Sequence, residues 1–302
     1  MAQSFDSMLV TTNWLNDHLS DSSLRIFDCT GIMSSIAGNT GREEHYDKHH
    51  IPGAAYLEVA DAKGILTNPD GTFPFSWPST SQFESAMREI GVSNECKVVL
   101  YTATAGGLGS GYFWATRAWW LMDYFGVDCA VLDGGWKKWE SEGLPVETET
   151  RSYAKTNFEA ATTKDQSVAF KDDVLAALNS DSALIVDTLS KESYLGKGDN
   201  IYGSYGKRAG HITGAINIGY EKVINPETGC FRDPDEIRTL YSGKDFQTKK
   251  PIITYCGGGI GATLSGFALK LAGFDDVAVY DGSLYEWTAD PKLPMTNPSE
   301  AG

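Results

Sequence analysis

Short apolar runs alternate with amphipathic stretches along most of this chain. The runs rich in Val, Ile and Leu predict strands at residues 24–28, 97–102, 130–132, 183–187, 251–256 and 278–280. Apolar positions with helical spacing follow in stretches such as 172–178 and 263–272. This alternation predicts an α/β protein whose sheets are mainly parallel, with helices on both faces.

The predicted elements occur twice, in the same order. Each half has a strand that ends in Asp, a His-Ile-x-Gly-Ala motif, a strand that ends near Tyr, and an Asp-Gly pair followed by Trp. These landmarks begin at Asp28, His50, Tyr101 and Asp133 in the first half and at Asp187, His211, Tyr255 and Asp281 in the second. Four landmarks in a fixed order indicate a duplicated domain. We therefore predict a first domain over residues 1–147, a surface linker over 148–167 that is poor in large apolar residues, and a second domain over 168–302.

The composition is that of a soluble globular chain, and it narrows the range of partners. Of the 302 residues, 41% are hydrophobic and 22% are charged, which argues against disorder. The 25 basic and 40 acidic residues leave a net charge of −15, which would repel nucleic acids and anionic membranes. The first residues lack the features of a secretory signal, and no apolar run approaches membrane-spanning length. We expect a cytoplasmic protein that binds neither nucleic acid nor membrane.

Cys256 is the strongest candidate for chemistry. It stands between a predicted strand and a predicted helix, in the segment Tyr255-Cys256-Gly257-Gly258-Gly259-Ile260-Gly261. Glycines let the chain fold tightly around the sulfur with N–H groups turned inward, and the positive end of the following helix adds to their effect. Such a site favours a nucleophilic thiolate. At the equivalent place the first half has Thr102, so only the second half carries the thiol.

Other interpretations of this loop are weaker. The remaining cysteines lie in ordinary contexts and are predicted to be core thiols: Cys29, Cys96, Cys129 and Cys230. No Cys-x-x-Cys pair is present for disulfide exchange. The spacing Gly257-x-Gly259-x-x-Ala262 loosely matches a dinucleotide-binding fingerprint, but too little chain follows for the rest of that fold. A cysteine phosphatase loop closes with an arginine that clamps phosphate, and this loop has no arginine.

A cluster of histidines raises the question of a metal site. His45, His49 and His50 could converge on one face of a helix, but their charged neighbours indicate a solvated helix end. His50 and His211 both precede Ile-x-Gly-Ala, and this recurrence predicts a structural turn for each. We expect neither a metal nor another cofactor.

Together, these residues resemble the two-domain rhodanese-like sulfurtransferases, the family of 3-mercaptopyruvate and thiosulfate sulfurtransferases. The resemblance rests on the tandem His-Ile-x-Gly-Ala motifs, the late Tyr-Cys-Gly-Gly-Gly-Ile-Gly loop and the closing Asp-Gly-Ser-Leu-Tyr-Glu-Trp, and it covers roughly residues 9–294. It implies two tandem rhodanese-like domains, of which the second is catalytic. It also implies that Cys256 takes a sulfane sulfur from a small anionic donor, becomes a persulfide, and passes the sulfur to cyanide or to a thiol such as thioredoxin.

The same resemblance bears on the donor and on the residues that would bind it. Backbone N–H groups of the loop would hold the persulfide, at Gly257, Gly258, Gly259, Ile260 and Gly261. Thiosulfate-preferring relatives tend to carry basic residues in this loop, so its lack of charge here favours 3-mercaptopyruvate, with thiosulfate a close second. Arg208, beside Lys207, is the nearest basic candidate to bind a donor carboxylate or sulfonate. The alternative function is a non-turnover protein that holds one persulfide for a partner, as a carrier or redox sensor.

Overall fold

The chain folds as two units, each built on its own parallel sheet. The computed structural model describes residues 4–34, 38–103, 112–161, 163–197, 208–248 and 250–300. Unit 1 comprises Met1–Gly71, Phe75–Lys164 and Asn225–Phe231, and unit 2 comprises Thr72–Pro74, Asp165–Ile224 and Arg232–Gly302. Most of the segment predicted as a linker packs with unit 1, because Phe158 is buried and the backbone N–H of Thr156 donates to the carbonyl of Arg88 at 3.1 Å.

Unit 1 is built on a five-stranded parallel sheet. Its described strands are β1 (Leu9–Val10), β2 (Leu24–Asp28), β3 (Met33–Ser34), β4 (Gly38–Asn39), β5 (Ala55–Tyr56), β6 (Lys97–Tyr101) and β7 (Asp128–Leu132). Its described helices are α1 (Thr12–Asp17), α2 (Thr80–Glu89), α3 (Phe113–Tyr124) and α4 (Gly135–Ser141), with a π-helical turn at Arg42–Tyr46. The sheet order is β1-β7-β6-β2-β5, while β3 and β4 form a separate antiparallel pair. Apolar side chains of one sheet face pack with Leu15 of α1 and Trp139 of α4.

Unit 2 repeats this sheet. Its described strands are β8 (Val168–Ala169), β9 (Leu184–Asp187), β10 (His211–Ile212), β11 (Ile216–Asn217), β12 (Ile252–Tyr255), β13 (Val277–Tyr280) and β14 (Met295–Thr296). Its described helices are α5 (Lys171–Ser180), α6 (Lys191–Tyr194), α7 (Pro234–Leu240), α8 (Gly261–Leu271) and α9 (Ser283–Trp287), with 3-10 turns at Asp165–Ser167, Tyr220–Val223, Lys244–Thr248 and Pro298–Glu300. The parallel order β8-β13-β12-β9-β11 matches that of unit 1 strand for strand, and β10 pairs with β14. The predicted α/β fold with two parallel sheets flanked by helices is confirmed. Within the described ranges, no helix has the length and apolar character needed to cross a membrane.

The His-Ile-x-Gly-Ala motif is tied to the sheet in the same way in both units. The hydroxyl of Tyr101 accepts the backbone N–H of Ile51 at 3.2 Å, and the hydroxyl of Tyr255 accepts that of Ile212 at 3.1 Å. Each tyrosine is the last residue of the central strand of its sheet. In each unit the motif is therefore hydrogen-bonded to the central strand of its own sheet. In unit 2 this is the strand that precedes Cys256.

His50 and His211 have structural surroundings. The Nδ1–H of His50 donates to the carbonyl of Tyr46 at 2.8 Å, and that of His211 donates to the carbonyl of Tyr194 at 2.7 Å. Each imidazole also stacks on the ring of the same tyrosine. These contacts agree with the predicted role of both histidines in a structural turn.

The expected solvated helix end is wrong for His45 and His50, which are both buried. Nε2 of His45 lies 3.4 Å from Oδ2 of the buried Asp28, and its ring meets Trp136 edge-on. Burial lowers the pKa of His45 to about 4 and raises the pKa of Asp28 to about 6. The charged neighbours of the π-helical turn lie on its solvent side, which is why they misled the prediction. In the part of the chain that the structure describes, no group of three or more His, Cys, Asp or Glu is placed to hold a metal ion.

Candidate active site

Cys256 lies at the carboxyl end of β12, the central strand of the unit 2 sheet. From β9 the chain continues to β11 on one side of the sheet, whereas from the adjacent β12 it continues to β13 on the other side. The ends of β9 and β12 thus form a topological switch point, where ligands of open α/β sheets bind. Cys256 is 4% exposed, and α8 begins shortly after it at Gly261. This arrangement matches the predicted strand, loop and helix.

The first turn of α9 holds the loop that starts at Cys256. The backbone N–H of Leu284 donates to the carbonyl of Cys256 at 3.1 Å, and the N–H of Tyr285 donates to the carbonyl of Gly257 at 2.8 Å. In a planar trans peptide the N–H points opposite to the carbonyl, so the N–H groups of Gly257 and Gly258 point away from α9. Neither has a hydrogen-bond partner among the described residues. Two donors are therefore available to an anion at this loop.

Gly259 allows the loop to pass close to the end of β13. Its φ is +75°, in the left-handed region that favours glycine. A Cβ at this position would lie 2.3 Å from the carbonyl oxygen of Asp281, well inside the distance that side chains tolerate. After it, the N–H and the hydroxyl of Thr263 both donate to the carbonyl of Ile260, which closes the loop onto α8. The glycine at 259 is thus a geometric requirement.

Ser283, the first residue of α9, binds the other side of Cys256. Its hydroxyl accepts the backbone N–H of Cys256 at 3.1 Å and donates to the carbonyl of Tyr280 at 2.8 Å. Sequence reasoning did not single out Ser283. The available signal was the exchange, between the halves, of Gly134-Gly135 for Gly282-Ser283.

A buried carboxyl group braces the strand that carries Cys256. The hydroxyl of Tyr255 donates to Oδ2 of Asp187 at 2.7 Å, and the N–H of Leu189 donates to Oδ1 at 2.9 Å. Burial raises the pKa of Asp187 to about 6 and holds the pKa of Tyr255 well above its usual range. Because Tyr255 also binds Ile212, this pair joins β9, β12 and the second His-Ile-x-Gly-Ala motif.

Tyr220 is a second residue near the thiol that sequence reasoning missed. It begins a 3-10 turn after β11, and its backbone N–H donates to the carbonyl of Thr188 at 2.7 Å. Burial raises the pKa of the Tyr220 phenol, and electrostatic repulsion by Glu221 and by Cys256 raises it further. The phenol therefore lies within electrostatic reach of the sulfur.

Arg208 is bound to the main chain at the far end of α9. Four of its five guanidinium N–H groups donate to backbone carbonyls, at 2.7–3.3 Å, of Trp287, Thr288, Asp290 and Leu293. These contacts favour a structural role, and donor binding by Arg208 stays a prediction. Lys207 lies outside the described residues.

The other four cysteines belong to unit 1. Cys29, Cys96 and Cys129 are buried, and Cys230 is half-buried. Burial holds the pKa of Cys29 and Cys129 well above the usual range, so these thiols are poor nucleophiles. Of the described cysteines, Cys256 alone directly follows the central strand of its sheet and precedes backbone donors that have no partner among the described residues.

Comparison with known proteins agrees with this fold. The sequence pattern of the rhodanese-like domain matches residues 11–142 and 170–290. The chain is 32% identical to the sulfur carrier protein TtuD of Thermus thermophilus, over 99% of this chain and 100% of that protein. It is 31% identical to a 3-mercaptopyruvate sulfurtransferase of Escherichia coli K12, over 95% and 96% of the two chains. It is 30% identical to a thiosulfate sulfurtransferase of Rattus norvegicus, over 92% and 91%.

A solved structure shows the same architecture. The crystal structure of SseA from Escherichia coli, described among the 3-mercaptopyruvate sulfotransferases, matches with a TM-score of 0.77 at 28% identity, over 92% of this chain and 98% of that one. Two parallel sheets of one strand order, with a single cysteine loop in the second, define a tandem protein of the rhodanese type. The chain belongs to the rhodanese-like domain family, among its two-domain sulfurtransferases, as the sequence predicted.

Proposed function

We propose that this protein transfers a sulfane sulfur through a persulfide on Cys256. The observation that carries the proposal is the position of the thiol at the carboxyl end of β12, beside the unpartnered N–H groups of Gly257 and Gly258 in the described chain. Backbone donors stabilise a thiolate or a persulfide anion without a metal. Gly259, Ile260 and Gly261 complete the proposed cradle.

The first half-reaction loads the sulfur. With 3-mercaptopyruvate, the Cys256 thiolate attacks the donor sulfur, an S–S bond forms, and the donor C–S bond breaks. The electron pair leaves on the pyruvate enolate, which takes up the thiol proton of the donor to give pyruvate. With thiosulfate, the donor S–S bond breaks and sulfite leaves with the electron pair. Either route leaves a Cys256 persulfide anion.

The second half-reaction returns the free thiolate. Cyanide attacks the outer sulfur of the persulfide, the S–S bond breaks towards Cys256, and thiocyanate leaves. A thiol acceptor such as thioredoxin would attack in the same way and carry off the sulfur as its own persulfide. No net oxidation or reduction of the protein occurs over the cycle, so no cofactor is required.

The charge of the site favours 3-mercaptopyruvate as donor. The loop from Cys256 to Gly261 carries no charged side chain, and the nearest predicted cation, Arg208, already binds four main-chain carbonyls. Thiosulfate brings two negative charges to the loop and 3-mercaptopyruvate brings one. Binding the thiosulfate dianion with backbone dipoles alone is less favourable than binding the 3-mercaptopyruvate monoanion in the same way.

Steady-state turnover with each donor tests the proposal. Wild-type protein, Cys256→Ser and the matched control Cys230→Ser are incubated with 3-mercaptopyruvate or thiosulfate and cyanide, and thiocyanate is measured. We expect many turnovers for wild type and Cys230→Ser, none for Cys256→Ser, and a higher kcat/KM with 3-mercaptopyruvate. Thiocyanate formation by Cys256→Ser at the wild-type rate would refute the assignment, and a higher kcat/KM with thiosulfate would reverse the order of donors.

A sulfur carrier without turnover is the second candidate, favoured by the 32% identity to the sulfur carrier protein TtuD. Such a protein would load one sulfur on Cys256 and release it only to a protein partner. The same assay separates the two functions. Pyruvate or sulfite limited to one equivalent per protein, all of it dependent on Cys256 and with no thiocyanate formed, would support the carrier.

A further inference from the structure

We propose that Ser283 is a positioning residue that fixes Cys256 for sulfur transfer, an inference that rests on the proposed function. Ser283 is completely buried, and its hydroxyl bridges two backbone groups. It accepts the N–H of Cys256 at 3.1 Å and donates to the carbonyl of Tyr280 at 2.8 Å. The hydroxyl thus connects the nucleophile directly to the last residue of β13.

Cys256 lies beyond the last residue of β12 that pairs with a neighbouring strand. The register of β12 with β13 ends at Thr254, and its register with β9 ends at Tyr255. Cys256 is the next residue, and its N–H would have no strand partner. The Ser283 hydroxyl supplies the missing acceptor and so extends the ordered part of the strand by one residue.

Three consecutive residues of α9 bind the backbone around Cys256, and the first two of them fix the peptide groups on either side of its α-carbon. Ser283 binds the N–H of Cys256, Leu284 binds its carbonyl, and Tyr285 binds the carbonyl of Gly257. Because both flanking peptide groups are held, the direction of the Cα–Cβ bond is fixed. This direction determines where the sulfur can lie. Loss of the hydroxyl would leave the N–H of Cys256 buried without a partner and free that side of the residue to move.

The backbone conformation of Ser283 indicates that its side chain has a specific role. Its φ is +46°, in the left-handed region where glycine fits without strain. At the equivalent position unit 1 has Gly135, with φ +53°. There the N–H of Trp136 donates to the carbonyl of Thr102 at 3.1 Å, just as Leu284 does to Cys256. Unit 1, which has Thr102 in place of the thiol, therefore has an unstrained glycine at this position. Unit 2, which carries the thiol of Cys256, has a strained serine there.

Ser283→Gly separates the hydroxyl from the backbone conformation. Glycine adopts a φ of +46° readily, so this variant keeps the turn and removes only the hydrogen bonds. We expect kcat to fall by about tenfold with both donors, since a hydrogen bond that orients a reacting group contributes about that factor. KM should change less than twofold because Ser283 is completely buried and its hydroxyl binds only backbone groups, and the melting temperature should stay within a few degrees of wild type.

Two further variants complete the test. Ser283→Ala should show the same loss of kcat with a lower melting temperature, because alanine keeps the strain. Thr288→Val removes another buried hydroxyl of the same region, one that donates to the carbonyl of Leu284 at 2.7 Å, and should lower stability without changing kcat. A kcat of Ser283→Gly within twofold of an active wild type would overturn this inference alone. A wild type that turns over no donor would overturn the proposed function, and this inference with it.

Discussion

Replacing Gly259 with alanine tests whether the shape of the cysteine loop decides catalysis. The new Cβ would lie 2.3 Å from the carbonyl oxygen of Asp281, whereas real Cβ contacts almost never fall below 3.0 Å. Asp281 is held in place, since its N–H donates to the carbonyl of Ala169 at 3.1 Å. The loop must therefore move by at least about 0.7 Å, the difference between these two distances.

The expected effect is large on turnover and moderate on stability. A misplacement of about 1 Å at a reacting group costs about 100-fold in rate, so we expect kcat/KM to fall by about 30- to 100-fold. The left-handed conformation costs alanine about 1–2 kcal/mol, and the close contact adds to that. The free energy of unfolding should fall by about 2–3 kcal/mol.

Gly214→Ala is the matched control within unit 2. Gly214 has φ +85°, but its Cβ would meet only Cδ2 of Leu178 at an ordinary 3.8 Å. It should lose about 1–2 kcal/mol of stability, from backbone strain alone, and keep its kcat/KM within twofold. Thiocyanate formation and urea unfolding measure the two quantities. A Gly259→Ala variant as active as Gly214→Ala would refute the claim that loop shape is required.

Three further predictions concern the supports of the site. In the folded protein the pKa of Asp187 is about 6, above the unfolded value of 3.8, so stability falls as the pH rises through this window. Two pKa units correspond to about 3 kcal/mol. The free energy of unfolding of wild type should therefore differ by about that amount between pH 4 and pH 7, and in Asp187→Asn this difference should be smaller by the same amount. An equal difference in the variant and in wild type would contradict the raised pKa of Asp187. Arg208→Ala should lower the free energy of unfolding by about 2–4 kcal/mol, since four carbonyls lose their hydrogen-bond donor. A loss below about 1 kcal/mol would contradict the structural role of Arg208. A raised KM for the sulfur donor would support the prediction that Arg208 binds that donor. Tyr255→Phe and Tyr101→Phe should each cost about 1–3 kcal/mol in urea unfolding, but only Tyr255→Phe should slow turnover, and equal kcat values would show that the brace beside Cys256 is dispensable.

The parts of the fold that depend on local pattern were predictable from sequence. The apolar run before Cys256 and the glycines after it placed the thiol at the end of a strand, and β12 ends one residue before it. The repeat indicated that each half forms its own sheet of the same kind, because the landmarks occur in the same order in each half. The shared strand order bears this out.

The parts that depend on long-range contacts were not predictable. Ser283 reaches Cys256 across 27 residues of sequence, and Arg208 reaches α9 across about 80, so no local pattern reports either contact. The burial of His45 follows from how its turn lies against Asp28, which the charged neighbours in sequence conceal. Side-chain direction at such positions is decided by tertiary packing rather than by residue type.

The proposed function depends on Cys256 as the residue that carries the sulfur. Intact mass spectrometry of wild type and Cys256→Ser, before and after treatment with 3-mercaptopyruvate or thiosulfate and again after reduction, tests it most directly. We expect one added sulfur atom in wild type, its loss on reduction, and no addition in Cys256→Ser. An added sulfur that persists in Cys256→Ser would contradict it.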